Sequence, residues 1–166
     1  MFGKEKQKKI STPGEKMPVS ADTTVLKEDD RQLYRSNTMR MAYLALDRPE
    51  LQFSSKELAR SMQQPTRWDM LQLQRAVRFL MGAPRIVQKF VAQEMPNRVS
   101  GFSDTDHAGC LKTRKSTSCS MVFIGKHMVK SSATTQGVIA LSSGESEFYG
   151  GVKTASTGLG MIHLLR

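Results

Sequence analysis

The stretch from residue 140 to residue 166 constrains the fold most, because it joins a helix start to a helical apolar stripe. Ser142 is followed three residues later by Glu145. At this spacing Ser142 is predicted to cap the helix, and the Glu145 carboxylate is predicted to reach back to the backbone amide of the cap residue. Apolar side chains then recur four and three residues apart, at Phe148, Val152, Ala155, Leu159 and Ile162. The stripe predicts an α-helix that packs on an apolar layer.

Two acidic residues are predicted to meet where this helix joins a sheet. Glu147 lies in the first helical turn, and Asp104 ends an apolar and acidic run that begins at Val99. If this run is the neighbouring strand, the two carboxylates share one edge of the sheet. Each acid also has a purely structural interpretation. A carboxylate after a strand can satisfy turn amides, and an acid in a first turn favours the helix dipole.

The charge of the chain favours a polyanionic partner. Among 166 residues there are 25 Lys and Arg against 15 Asp and Glu, a net charge of +10, which attracts partners of negative charge. The two cysteines, Cys110 and Cys119, lack metal-type spacing, so we expect free thiols and an intracellular protein, either cytoplasmic or nuclear. No apolar run is long enough to span a bilayer, so no membrane partner is expected.

Composition and periodicity divide the chain into three segments. Residues 1–29 are rich in lysine, proline and glycine and poor in large apolar side chains, which predicts a basic disordered tail or linker. Residues 30–84 show helical patterns, and residues 85–166 show strand patterns followed by the helix described above. The predicted fold class is α+β, with a helical segment followed by three antiparallel strands and a helix.

Capping signals predict three helices in residues 30–84. The first begins near Asp30 and ends before the Arg48-Pro49 pair, because a residue that precedes proline disfavours the helical region. The second and third begin at capping-box spacings, and the third ends at a glycine. The residues concerned are Ser54 with Glu57, Thr66 with Asp69, and Gly82.

Four strand-like runs follow Pro84. They cover residues 86–92, 98–104, 118–124 and 127–131. The last two runs are predicted to form a hairpin that turns at Gly125 and Lys126.

Three separated motifs of this region carry a family resemblance. They are GFSDTD at 101–106, RKSTS at 114–118 and ALSSGESEF at 140–148. In order and spacing they resemble the ribonuclease H region of copia-type retrotransposon polyproteins. The resemblance implies that Asp104 and Glu147 are catalytic residues that hold divalent metal ions, Mg²⁺ or Mn²⁺. It also implies cleavage of the RNA strand of an RNA–DNA hybrid, for which hard oxygen ligands and two metal ions are suited.

The helical segment resembles the end of the reverse transcriptase of the same polyproteins. The motifs are YRS at 34–36, YLA at 43–45, RPEL at 48–51, QPT at 64–66 and RAVRFLMG at 75–82. The Tyr-Val-Asp-Asp signature of the polymerase does not occur in this sequence, so DNA synthesis is not assigned. The resemblance implies a thumb or connection element for residues 30–84.

Four basic residues are candidates for contacts with nucleic acid. Arg75 and Arg78 lie one helical step apart, where they can reach a phosphate backbone, although such a pair more often belongs to a solvated helix face. Arg114 and Lys115 belong to a basic rim near the strands. Contacts of this kind recognise the backbone and not the base sequence, and they weaken as salt rises.

The functional prediction is a fragment of a retrotransposon polyprotein. In the family two later aspartates complete the metal site, and both correspond to positions beyond Arg166, so residues 85–166 are expected to form an incomplete ribonuclease H-like fold. The ancestral function would be hybrid cleavage during reverse transcription, with the chain inactive alone and the rest of the polyprotein as a partner. The alternatives are a non-catalytic basic nucleic-acid-binding module and a decayed open reading frame.

Overall fold

The computed structural model describes residues 10–165, and the chain divides between Val87 and Gln88 into two compact units. In the described residues, the first unit contains α1, α2 and α3, and the second contains a three-stranded sheet and α4. This order confirms the predicted α+β class. The bounds are α1 Glu28–Leu44, α2 Gln52–Arg60, α3 Arg67–Gly82, β1 Val99–Asp106, β2 Thr117–Ile124, β3 His127–Thr135 and α4 Ser143–Leu164.

The helical unit is built around a buried apolar core. Tyr34, Leu51 and Leu73 are almost completely buried, and smaller side chains from all three helices pack beside them. The Tyr34 hydroxyl donates a hydrogen bond of 2.7 Å to the carbonyl oxygen of Leu58. Burial raises the pKa of Tyr34 well above its ordinary value, so this ring stays a neutral donor in the core.

The start and end predicted for α3 are confirmed. The Thr66 hydroxyl accepts a hydrogen bond from the Asp69 amide, and the Asp69 carboxylate accepts one from the Thr66 amide. Both partners lie within one turn, so the pairing is decided by local sequence. The helix ends at Gly82, as its sequence predicts.

The starts predicted for the other two helices of this unit were wrong. α1 begins at Glu28 and not at Asp30, because a run of acids in its first turn is stabilised by the helix dipole. α2 begins at Gln52, directly after a short 3₁₀ turn that Pro49 opens. The expected cap, Ser54, therefore lies inside α2, where it is buried.

The disordered tail predicted for residues 1–29 differs from the structure in its described part. Leu26 is buried, and its amide donates a hydrogen bond of 2.9 Å to the Pro65 carbonyl oxygen. The Arg67 amide donates one of 2.9 Å to the Thr24 carbonyl oxygen. These long-range bonds hold a segment whose composition alone favours disorder. Residues 1–9 of the predicted tail lie outside the described residues.

The sheet of the second unit is antiparallel in the order β1-β2-β3. The hairpin turn is confirmed, with Gly125 at a φ of 59°, a conformation that favours glycine. The register pairs Asp104 with Cys119 and Thr105 with Ser118. In the sheet of the described residues, β1 therefore has one paired edge and one free edge.

The strand predicted for residues 86–92 was wrong, because this segment is irregular and is held by side chains. The Val91 carbonyl oxygen lies 2.8 Å from the Nε2 atom of His127. The side-chain amide of Gln93 donates a hydrogen bond of 3.2 Å to the Ile124 carbonyl oxygen. These contacts attach the segment to the tip of the hairpin without a strand ladder.

Helix α4 packs on the sheet through small side chains, and not through the predicted apolar stripe. Its buried residues are Ser146, Gly150 and Thr154, whereas Phe148 is 67% exposed and Leu159 is 59% exposed. The small residues recur four apart and allow a close approach, since a methyl group on Gly150 would lie 2.6 Å from Thr105 Cγ2. The predicted contact face was therefore wrong.

In residues 10–165 there is no helix whose length and apolar character would suit a bilayer crossing.

Candidate metal site and nucleic-acid contacts

The first turn of α4 positions the acidic residues of the candidate site. Ser142 caps the helix, since its hydroxyl accepts a hydrogen bond of 3.1 Å from the Glu145 amide. The Glu145 carboxylate reaches the amide of Leu141, at 2.7 Å, and not that of the cap residue as predicted. The Tyr149 hydroxyl donates to the same carboxylate at 2.9 Å. These bonds, the one from Leu141 first, hold the pKa of Glu145 below its usual value.

Glu147 reaches from α4 to the backbone of β1. Its Oε1 atom accepts a hydrogen bond of 3.2 Å from the Thr105 amide, and its side chain is half-buried. Beside it, the hydroxyl oxygens of Thr105 and Ser146 lie 3.0 Å apart. The carboxylate of Glu147 is thus oriented at the last residues of β1 by a contact distant in sequence.

Asp104 is the residue that precedes the amide bound by Glu147. Because the Asp104 Cα atom and the Thr105 nitrogen are separated by only two bonds, the Glu147 Oε1 atom lies no more than about 6 Å from that Cα atom. The Asp104 side chain is exposed. The structure therefore places the backbone of Asp104 near the Glu147 carboxylate, although the two residues are far apart in sequence.

The directions of the two side chains differ, however. Gly101 and Thr105 lie on the face of β1 that contacts α4. Since side chains alternate along a strand of regular register, Asp104 leaves β1 on the opposite face. A shared ion would require its carboxylate to turn towards the free edge of β1. Within residues 10–165, no three His, Cys, Asp or Glu side chains are grouped as metal ligands, and the metal-binding roles of Asp104 and Glu147 stay predictions.

Asp106 has a structural role in the loop between β1 and β2. Its carboxylate accepts a hydrogen bond from the Thr117 amide. Gly109 lies so close that a side chain there would collide with this carboxylate. Asp106 therefore closes the loop that contains two of the predicted basic residues, Arg114 and Lys115.

Those two basic residues differ in their surroundings. The Lys115 ammonium group donates a hydrogen bond of 2.6 Å to the Gly137 carbonyl oxygen, so part of its donor capacity is used within the unit. Arg114 is exposed and has a φ of 55°, which places it in the left-handed region at the loop. Arg114 has the more accessible charge for a phosphate.

In the helical unit, Arg75 already has an anionic partner. Its guanidinium lies 3.0 Å from the Glu15 carboxylate and donates a hydrogen bond of 3.0 Å to the Thr12 hydroxyl. Arg78 is half-buried on the same helix. The sequence-based prediction for these arginines did not include Glu15, because it lies far away in sequence.

A groove beside β1 was not predicted from the sequence. It has a volume of about 430 Å³ and lies between β1 and the side of α4 that carries Ala155, Gly158 and Ile162. The sequence feature that could have indicated this groove is the row of small residues on α4, because small side chains let the helix approach the strand closely.

Comparisons with known proteins agree with the motifs. The chain is 30% identical over 143 residues to an uncharacterized mitochondrial protein of Arabidopsis thaliana. The aligned region covers 85% of this chain and 58% of that protein. It is 28% and 29% identical, over 90% of its length, to retrovirus-related Pol polyproteins from the transposons RE1 and RE2 of Arabidopsis thaliana. No family model and no solved structure matches the chain.

These relatives define the class to which the chain is related, the Pol polyproteins of retrotransposons. The predicted resemblance to the copia-type polyproteins is thereby confirmed. The chain spans 58% of the mitochondrial relative and 10% of each transposon polyprotein.

Proposed function

We propose that this chain contributes to ribonuclease H cleavage of RNA–DNA hybrids during reverse transcription. In this proposal Asp104 and Glu147 are two ligands of a divalent metal site. The observation that carries it is the hydrogen bond between the Thr105 amide and the Glu147 carboxylate, which links the GFSDTD and ALSSGESEF motifs of the resemblance near the end of β1.

The chemistry of the donor set suits Mg²⁺ or Mn²⁺. Carboxylate oxygens are the ligands that these hard cations prefer, and such ions activate water and stabilise the leaving oxygen in phosphodiester cleavage. Glu147 would be held in orientation by the Thr105 amide, while the exposed Asp104 would supply the second carboxylate from the neighbouring residue. Two carboxylates leave an ion held largely by water and substrate, so we propose that this chain cleaves poorly by itself.

The rest of the polyprotein is the proposed partner that completes the site. Two features of the second unit support this partner. The free edge of β1 offers unpaired backbone groups for another strand. The apolar stripe of α4, with Phe148, Val152 and Leu159 exposed, offers a surface that a further segment can bury.

Metal binding is testable on the chain itself. Titration with Mn²⁺ should broaden the NMR signals of the Thr105 and Ser146 amides through the paramagnetism of the ion. Asp104→Asn or Glu147→Gln should weaken this binding by at least about tenfold, since even indirect partners of a metal ligand change affinity 10- to 100-fold. Glu145→Gln is the matched control, because Glu145 lies in the same turn but its carboxylate already accepts hydrogen bonds from the Leu141 amide and the Tyr149 hydroxyl.

Equal broadening in the wild-type chain and in the Asp104 and Glu147 variants would reject the proposed ligands. A second measurement follows a labelled RNA–DNA hybrid in Mg²⁺. We expect slow cleavage that Asp104→Asn removes.

A non-catalytic nucleic-acid-binding module is the second candidate. The exposed Arg114 and the net charge of +10 favour it. Salt-sensitive binding of the hybrid, without cleavage and without localised Mn²⁺ broadening, would support this module over the nuclease.

A further inference from the structure

Residues 12–15 bring a carboxylate onto the basic surface of α3. The Glu15 carboxylate lies 3.0 Å from the Arg75 guanidinium, and the Gln72 side chain donates a hydrogen bond of 3.4 Å to the same carboxylate. The backbone amide of Glu15 in turn donates a hydrogen bond of 3.2 Å to the side-chain oxygen of Gln72. A guanidinium and an amide group are donors that also hold phosphate oxygens in nucleic-acid complexes.

Two further contacts hold this segment on the helices. The Thr12 hydroxyl accepts a hydrogen bond of 3.0 Å from Arg75. Gly14 lies so close to α2 that a methyl group there would be 2.5 Å from the Ser54 hydroxyl oxygen. Glu15 is therefore presented to Arg75 by a fixed piece of backbone, and its effective concentration beside the arginine is high.

The contact is nevertheless exchangeable. The side chains of Arg75 and Glu15 are 25% and 46% exposed. Ion pairs this exposed are weak in water, and a polyanion that brings several phosphates can displace one carboxylate.

We propose that Glu15 occupies the place of a nucleic-acid phosphate on α3, so that residues 12–15 compete internally with nucleic acid for Gln72 and Arg75. The inference rests on the nucleic-acid part of the proposed function and adds a regulation of that contact. Binding of nucleic acid exchanges the carboxylate for a phosphate, and the affinity is lowered by the fraction of molecules in which Glu15 is in place. Any change that releases residues 12–15 raises the affinity.

The test measures binding of a fluorescein-labelled RNA–DNA hybrid in EDTA, where metal-dependent cleavage does not occur. Glu15→Gln should tighten binding about two- to fivefold, the range expected from loss of an exposed ion pair. It should also steepen the dependence of log K on log salt by up to about 0.9, the value for one more phosphate contact. Glu57→Gln is the matched control, since Glu57 pairs with Arg60 on α2 and its loss changes the net charge equally.

Two further variants distinguish competition by residues 12–15 from a general effect of net charge on binding. Arg75→Gln should weaken binding and should abolish the gain caused by Glu15→Gln. Gly14→Ala should displace the segment without any change of charge and should tighten binding as Glu15→Gln does. Equal effects of Glu15→Gln and Glu57→Gln, or no hybrid binding by any variant, would overturn the inference.

The readout is independent of the proposed metal site. The same series in an Asp104→Asn background should give the same ratios, because Asp104 lies in the other unit. Failure of the wild-type chain to bind Mn²⁺ would reject the nuclease proposal and leave the competition measurable, whereas unchanged hybrid affinity in Glu15→Gln would reject the competition alone.

Discussion

The two units of this chain bury different kinds of side chain. In the helical unit, large apolar residues such as Tyr34, Leu51 and Leu73 form the core. In the strand unit, α4 meets the sheet through Ser146, Gly150 and Thr154, while larger apolar residues of α4 remain exposed. Burial of apolar area stabilises the first unit, and close approach with hydrogen bonding organises the second. The second unit therefore keeps an apolar surface available for a partner.

The largest expected effect comes from matched leucine truncations in the two units. Leu73→Ala should lower the free energy of unfolding of the helical unit by about 2–5 kcal/mol, because it leaves a cavity in a packed core. Leu159→Ala, at an exposed position of α4, should change the stability of the strand unit by less than about 0.5 kcal/mol.

Urea unfolding followed by the fluorescence of Trp68, the single tryptophan, reports the first variant, since this residue lies in α3. Amide hydrogen exchange of β2 reports the second. Similar losses in both would contradict the contrast between an apolar core and a small-residue contact.

A pair of adjacent glycines tests the close approach of α4. Gly150→Ala should destabilise the strand unit by about 1–3 kcal/mol, because the new methyl group would lie 2.6 Å from Thr105 Cγ2. Gly151→Ala meets no atom within 4 Å and should stabilise α4 by up to about 1 kcal/mol through helix propensity. Amide exchange in α4 and β1 measures both. Equal effects would show that α4 does not lie this close to β1.

The smallest expected effect concerns the helix caps, where the two units should behave alike. Thr66→Ala and Ser142→Ala each remove a side-chain acceptor from a first-turn amide. Each substitution should lower the free energy of unfolding of its own unit by about 0.5–2 kcal/mol. Protection of the Asp69 and Glu145 amides against hydrogen exchange is the direct measurement. A loss in one unit and none in the other would mean that tertiary contacts replace one of these caps.

Features decided within a few residues were predictable from the sequence. The capping pair of Thr66 and Asp69, the cap at Ser142 and the turn at Gly125 are examples. Their partners lie within one turn, so their geometry depends on local backbone conformation. The α+β order and the family resemblance followed from the same kind of pattern, through periodicity and motif spacing.

Long-range packing decided what periodicity could not. Periodicity identified the apolar stripe on α4 but could not show that Gly150 and its small neighbours would face the sheet, because the closeness of two elements depends on both surfaces. The contacts of Glu147 with Thr105 and of Glu15 with Arg75 join residues remote in sequence. By itself, the sequence determined the capped starts of α3 and α4, the hairpin turn and the family resemblance. Only the tertiary structure decided which faces meet and which charged groups are neighbours, since both depend on how separate elements pack in space.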